Sequence, residues 1–323
     1  MAMLSRVAES LYWMSRYLER AENTARMINA NANMMLDLPR DIRPSWDSLL
    51  TITGSEETFG TRYSSPNEGQ VTRFLISDAG NPGSILSSLR AARENARSIR
   101  DILQREGWEH INELYLKAMA RIPDSESPKR RFAYLDDIIL SVQGIAGLIA
   151  GTMSHDEAYE FVRLGCDLER ADMTTRILDV RWGDLSPDAK ESLKPFENLL
   201  WMSVLKSMTA YHMYRRHCQT AVGRDSVVKF LMEDRLFPRS CHYCLRDMQD
   251  ALNHLPQGNC VREKLSEATA LVQDEEARRR TELRRFIDDL QVKLGEIHDA
   301  LSGCYFDVEK MSPQQKQPAC CNA

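Results

Sequence analysis

Ten apolar positions recur at alternating steps of three and four over the first 35 residues: Leu4, Val7, Leu11, Met14, Leu18, Ala21, Ala25, Ile28, Ala32 and Met35. A 3.6-residue period gathers all ten on one side of a helix; a strand, whose side chains alternate with period two, cannot do this. The spacing returns at Ile85, Leu89, Ala92, Ala96, Ile99 and Leu103, and again at Leu283, Phe286, Leu290, Leu294, Ile297 and Leu301. Alternating β-branched runs bounded by hairpin dipeptides are absent. The pattern predicts an all-α chain, a multi-helix bundle of about ten helices.

Punctuation places the boundaries. Pro39 and Pro44 stop the first helix, and residues 40–84 read as short helices and turns. A second long helix is expected from Ser84 to about Glu106, ended by Gly107, with IPDSESP (122–128) a later loop. Gly144, Gly147 and Gly151 form a small-residue stripe that would let a neighbouring helix approach closely. SHDE (154–157) has the Ser-x-x-Glu form of a capping box, so a helix should start near His155 and run to Trp182. Further helices are expected over about 187–219, 224–236 and 240–254, and a last long one over 260–302. Residues 1–305 read as a single domain, and the polar tail 306–323 as disordered.

At 323 residues the chain can bury a full core, and a net charge of −5 argues against general nucleic-acid binding, which needs a basic face. The apolar stretch IILSVQGIAGLIAGTM is too short to span a bilayer and holds a Gln, so no membrane association is expected. Eight cysteines, scattered through helical segments without a preceding signal peptide, read as thiols of a reduced, cytoplasmic protein.

LERAENTAR (18–26) and LERADMTTR (168–176) write one helical phrase twice at an offset of 150. Their seams match too, which suggests duplication of a helical unit with pseudo-repeat halves 1–150 and 151–305. Adjacent helical residues diverge by about 100°, so Glu19 cannot bridge to Arg20, nor Glu169 to Arg170. Glu22 with Arg26 and Asp172 with Arg176 have the favourable i,i+4 order and can pair within their helices. Glu19 and Arg20, flanked by Tyr12, Trp13 and Met27, should be partly buried and satisfied from another helix. The stripe Arg90, Arg93, Arg97 and Arg100 offers partners, and its guanidiniums demand carboxylates or an anionic ligand. Two readings follow. The set is either a structural ion network, or a pocket in which surplus arginine binds an acidic or phosphate-bearing ligand.

At LERAENTAR, ARENAR and HDEAYEFVRLGCDLERADMTTR the sequence resembles the bacterial alpha-E family, an all-helical domain named for its Glu-Arg motif. The resemblance covers the chain to about residue 305. It carries over Glu19, Arg20, Glu169 and Arg170, with Arg93 and Arg97 from the middle phrase. The family is similar to proteins encoded beside circularly permuted ATP-grasp ligases and transglutaminase-like peptidases, which implies service in peptide-bond formation or protein modification. One departure lies inside the repeat: Cys166 and Asp167 stand where the first copy has Arg16 and Tyr17.

Other chemistry has weaker signals. Ser240 is a plausible cap for a helix carrying Cys241 and Cys244, but no strand precedes this CxxC, and two buried thiols are the better reading. None of the seven histidines has Glu three residues before it, as a di-iron bundle needs, and no standard zinc spacing occurs. Neither a metal nor a cofactor is expected. Phosphate loops, dinucleotide fingerprints and nucleophile elbows are missing, and the terminal CCNA is a poor prenylation signal. Two functions stay open. One is a non-catalytic helical partner or substrate-presenting module for an ATP-grasp or transglutaminase-type enzyme. The other is an enzyme using Glu19 or Glu169 as general base beside substrate-binding arginines.

Overall fold

A computed structural model describes residues 3–39, 43–184, 195–274 and 283–307, with only the backbone course for 181–184. The described residues form fifteen helices and no strand. They are α1 (Ser5–Asp37), α2 (Ser48–Thr53), α3 (Glu56–Gly60), α4 (Glu68–Ser77), α5 (Ile85–Ser98), α6 (Arg105–Ala120), α7 (Ile122–Glu126), α8 (Pro128–Thr152), α9 (Glu157–Asp184), α10 (Glu197–Ser207), α11 (Tyr211–His217), α12 (Arg224–Glu233), α13 (Cys241–Leu252), α14 (Asn259–Gln273) and α15 (Leu283–Leu301). The excess over ten comes from the five- and six-residue helices α2, α3 and α7 and from breaks in segments that read as continuous.

The 33-residue α1 is the axis of the bundle. It packs on α5, α8, α9 and α10, and its seam from Leu11 to Ile28 is almost wholly excluded from solvent. Burial reaches beyond the seam to Ser15, Arg16, Glu19, Glu22, Asn23 and Asn31. A helix walled on most sides must bury some of its polar residues, and these then need partners from neighbouring helices.

Five boundaries differ from the sequence reading. IPDSESP (122–128), expected as a loop, holds the short helix α7 and the first residue of α8. Gly107 lies inside α6; the break falls at residues 99–104 instead, where turns carry both Ile99 and Leu103 into the core. A methyl on Gly107 would press on the Leu103 side chain at 3.2 Å, so the glycine makes room for that turn. At the head of α9, Asp156 accepts from the Ala158 N–H at 3.0 Å, so the helix starts two residues later than a cap at Ser154 would place it. The segment expected over 187–219 divides at residues 208–210 into α10 and α11, with Thr209 in the left-handed region at φ 54°; its first residues lie outside those described.

The expected helix 260–302 is instead a hairpin of α14 and α15. Lys293 Nζ reaches Glu267 at 2.6 Å and Lys264 reaches Glu296 at 3.2 Å. In one straight helix the first pair would stand about 39 Å apart. The hairpin brings Cys260 and Cys304 side by side. The tail expected to be disordered lies, from residue 308 on, outside the described residues.

Among the described residues, α8 alone could cross a membrane by length and composition, but it packs against α1, α6 and α7 and carries Asp136 and Asp137, held by Asn29 and Arg121. Its glycines bring no helix close: a methyl on Gly144, Gly147 or Gly151 would meet nothing within 4 Å.

Candidate functional site

The site grows from the crossing of α1 and α9. Gly165 is the point of closest approach, since a methyl there would run into the Tyr12 carbonyl and Ser15 Oγ. From that point the contacts advance together, 16 to 169 and 19 to 170, so the helices run in the same direction and LER faces LER. Each glutamate then takes the other helix's arginine. Glu169 accepts from Arg20 Nε and Nη2 at 2.6 and 2.9 Å, and from Arg16 Nε at 2.8 Å. Glu19 accepts from Arg170 Nε at 3.1 Å and Arg239 Nη1 at 2.6 Å.

The exchange is not two-fold. Arg16 serves Glu169, and at the equivalent place Cys166 offers Glu19 only a thiol at 3.2 Å. Arg239, from the turn before α13, supplies the missing guanidinium. Thr174 Oγ1 fixes that turn by donating to the Arg239 carbonyl at 3.0 Å. Arg239 also reaches Asn23 at 2.7 Å and Glu22 at 3.1 Å. Glu22 holds Arg26 through Nε at 2.9 Å, and Asp172 holds Arg176 at 2.9 and 3.0 Å, both along their own helices.

Arg93 and Arg97 stand outside this cluster. Arg93 bonds Asn112 at 2.7 Å and Glu94 at 2.8 Å and lies over the rings of Trp108 and Tyr115, while exposed Arg97 pairs with Glu94 at 2.7 Å. The α5 seam faces α1, and a stripe displaced from it by one residue is turned away toward α6 and solvent. The guanidiniums that join Arg20 and Arg170 in their place, Arg16 and Arg239, had faint signals. Arg16 sits three residues before Glu19, where the repeat departs from itself; Arg239 belongs to a turn no periodicity reaches.

Burial alone would raise both glutamates' pKa values, but their guanidinium partners outweigh it. Arg170 and Arg239, helped by the Cys166 thiol, draw Glu19 down to about 2, and Arg20 and Arg16 hold Glu169 below the usual carboxylate range. A carboxylate with a depressed folded-state pKa contributes stability that is complete above its unfolded value and lost as pH falls toward the folded one. Resistance to urea should therefore decline from about pH 4.5 toward pH 2. In a Glu19→Gln variant the decline should be shallower; an unchanged slope would show that Glu19 is not so paired.

A cavity of about 350 Å³ opens beside Glu19, between α1, α8, α9 and α13. Met14, Leu18, Val142 and Ile149 give it an apolar wall; Arg163, Asp167, Arg170 and Asp247 give it a charged one. Arg163 is held by Glu160 at 2.6 Å and Asp247 at 2.8 Å. Asp167, 3% exposed, is hydrogen-bonded to Asp247, which requires a proton between them. Burial drives Asp167 far above the usual range, against Arg170, whereas Arg163 keeps Asp247 low despite its own burial.

Cys241 and Cys244 are buried in α13, whose N-terminus Ser240 caps by accepting from the Tyr243 N–H at 3.1 Å. Burial pushes the Cys241 thiol up to about 12 and Cys244 well above its ordinary value, so neither is a thiolate at neutral pH. Among the described residues, no group of three or more His, Cys, Asp or Glu is arranged to hold a metal ion.

Comparison with known families matches residues 3–306 to alpha-E, described as a predicted alpha-helical domain with a conserved ER motif. The chain belongs to the alpha-E family. The reciprocal Glu19–Arg170 and Glu169–Arg20 contacts are what its two ER pairs do in space. Similar proteins occur in mycobacteria, where they carry the name uncharacterized protein. One from Mycobacterium bovis and one from Mycobacterium tuberculosis are each 24% identical over 274 residues, covering 78% of this chain and 30% of the relative. The chain thus spans about a third of the length of these relatives. No solved structure matches.

Proposed function

We propose that this alpha-E chain is a non-catalytic helical partner or substrate-presenting module, acting in the cytoplasm with an enzyme of peptide formation or protein modification. The partner class is a circularly permuted ATP-grasp ligase or a transglutaminase-like enzyme. One observation carries the non-catalytic part: each ER glutamate is buried and already occupied by two guanidiniums. A general base works best with a pKa near the operating pH and a free lone pair toward its substrate. Glu19 and Glu169 have neither, being held low and enclosed by arginine. Their chemistry is that of a clamp joining α1 to α9. The partner role is supported by the relatives, in which the similar region is a minor share of a longer chain.

The second reading, an enzyme with a Glu/Arg site for a carboxylate- or phosphate-bearing substrate, is favoured by the cavity beside Glu19. Co-expression with a circularly permuted ATP-grasp ligase separates the two. The module reading expects one complex on size exclusion and no ATP-dependent amide formation by this chain alone. Turnover by the isolated chain, lost in a folded Glu19→Gln variant, would replace it with the enzyme reading.

A further inference from the structure

The cavity beside the ER clamp has its own chemistry, which the clamp does not use. Its volume of about 350 Å³ lies within the range of ligand pockets, roughly 300–1,000 Å³. It stays open because α8 presents only Ala146 and Ala150 at its rim, both exposed. The apolar wall suits an aliphatic stem. The charged wall decides what the stem can carry.

A ligand anion would need a free guanidinium there, and both candidates are engaged. Arg163 spans Glu160 and Asp247, and Arg170 spans Glu19 at 3.1 Å and Asp167 at 3.7 Å. An anion would have to displace a buried carboxylate, stranding it without a partner. A cation has an easier place. Asp167 and Asp247 share one proton because two carboxylates in contact cannot both ionise, and an ammonium can take that proton's position between them. Tyr159 and Tyr243 line the same space.

We propose that the cavity between α1, α8, α9 and α13 binds a primary ammonium on an aliphatic chain, its head between Asp167 and Asp247 and its stem along Met14, Leu18, Val142 and Ile149. A lysine side chain and a free alkylamine share this chemistry. Binding exchanges one proton for one ammonium: the aspartate pair gives up its proton to solvent, and the ammonium donates to both carboxylates. Other charged or titratable groups facing Asp167 are Arg163, Cys166 and Arg170 on its own helix, Glu19 from α1, and Tyr243, Cys244 and Asp247 from α13; Arg246 acts on Asp247, and the α8 residues lining the cavity carry none. Because a proton is released, affinity rises with pH as long as the amine stays protonated.

The test is calorimetric titration of the full chain with n-hexylamine, hexanoate and hexanol at pH 7.5, repeated in two buffers of different ionisation enthalpy. Hexylamine should bind at least tenfold more tightly than either analogue, with close to one proton released per amine. Asp247→Asn should weaken it tenfold or more. Ala146→Trp, which fills the cavity from its exposed rim without touching an ion pair, should abolish binding while leaving thermal unfolding unchanged. A short lysine peptide binding more tightly than hexylamine identifies a protein side chain as the source, and the reverse order a free amine. Absence of hexylamine binding, equal or tighter binding of hexanoate, no proton release, or binding that survives Ala146→Trp would each overturn the proposal. Ligase association is a separate measurement, so failure here leaves the module reading standing.

Discussion

Glu169→Gln should destabilise the chain by about 3–5 kcal/mol, the usual cost of breaking a buried ion pair by removing one partner. Glu169 is 1% exposed and accepts three guanidinium hydrogen bonds. The amide keeps the shape but has one acceptor oxygen, and its NH2 group points donors at donors. Arg16, itself 8% exposed, then keeps a charge away from water with no carboxylate to balance it, beside the Tyr12 hydroxyl at 3.2 Å and the Trp13 ring. Arg20 is less enclosed and can turn partly outward, so Arg16 sets the larger part of the cost. Urea denaturation at pH 7 measures this, and for a chain of this size the loss corresponds to a fall in Tm on the order of 5–10 °C. Arg97→Ala is the matched control. Its guanidinium is exposed and pairs with a neighbour on its own helix, so the change should stay within about 0.5 kcal/mol. Equal effects of the two substitutions would mean that the ER clamp is not where the structure puts it.

The contrast between these arginines shows what a sequence can disclose. Periodicity reports which face of a helix is apolar, and so revealed the seam of α1, its central position, and the absence of strands among the described residues. The i,i+4 rule reports contacts inside one helix, and the Glu22–Arg26 and Asp172–Arg176 pairs obey it. Neither rule reports which helix lies across from which. Arg93 and Arg97 attract notice because four arginines share a face, yet that face looks outward. Arg239 sits in a turn with no period and reaches Glu19 across 220 positions of sequence. The LER repeat located the right turn of each helix because its message is carried by the residues themselves. What it could not state is that the two copies lie side by side in parallel. The cavity was illegible for a similar reason: four helices build it, and Asp167 is pushed above the usual carboxylate range only through burial beside Asp247.

Gly165→Ala should cost about 3 kcal/mol or more, against the direction that helix propensity predicts. Inside a helix, alanine is more favourable than glycine by roughly 1 kcal/mol. Gly144→Ala on α8 should show that gain, since its methyl would meet nothing within 4 Å. At Gly165 the methyl would instead strike the Tyr12 carbonyl, a backbone group that cannot rotate away, as well as Ser15 Oγ. Overpacking a rigid site costs about 1–3 kcal/mol by itself. The relief available is to move α9 off α1, and that lengthens every bond of the exchange: Arg16 and Arg20 to Glu169, and Arg170 to Glu19. The two losses are therefore one loss counted at two places. A double variant, Gly165→Ala with Glu169→Gln, should be less destabilised than the sum of its parts by more than about 0.5 kcal/mol, the margin within which independent sites add. Simple additivity in denaturant titrations would show that the glycine and the glutamate act on separate contacts, and that the close approach of the two helices is not what positions the charges.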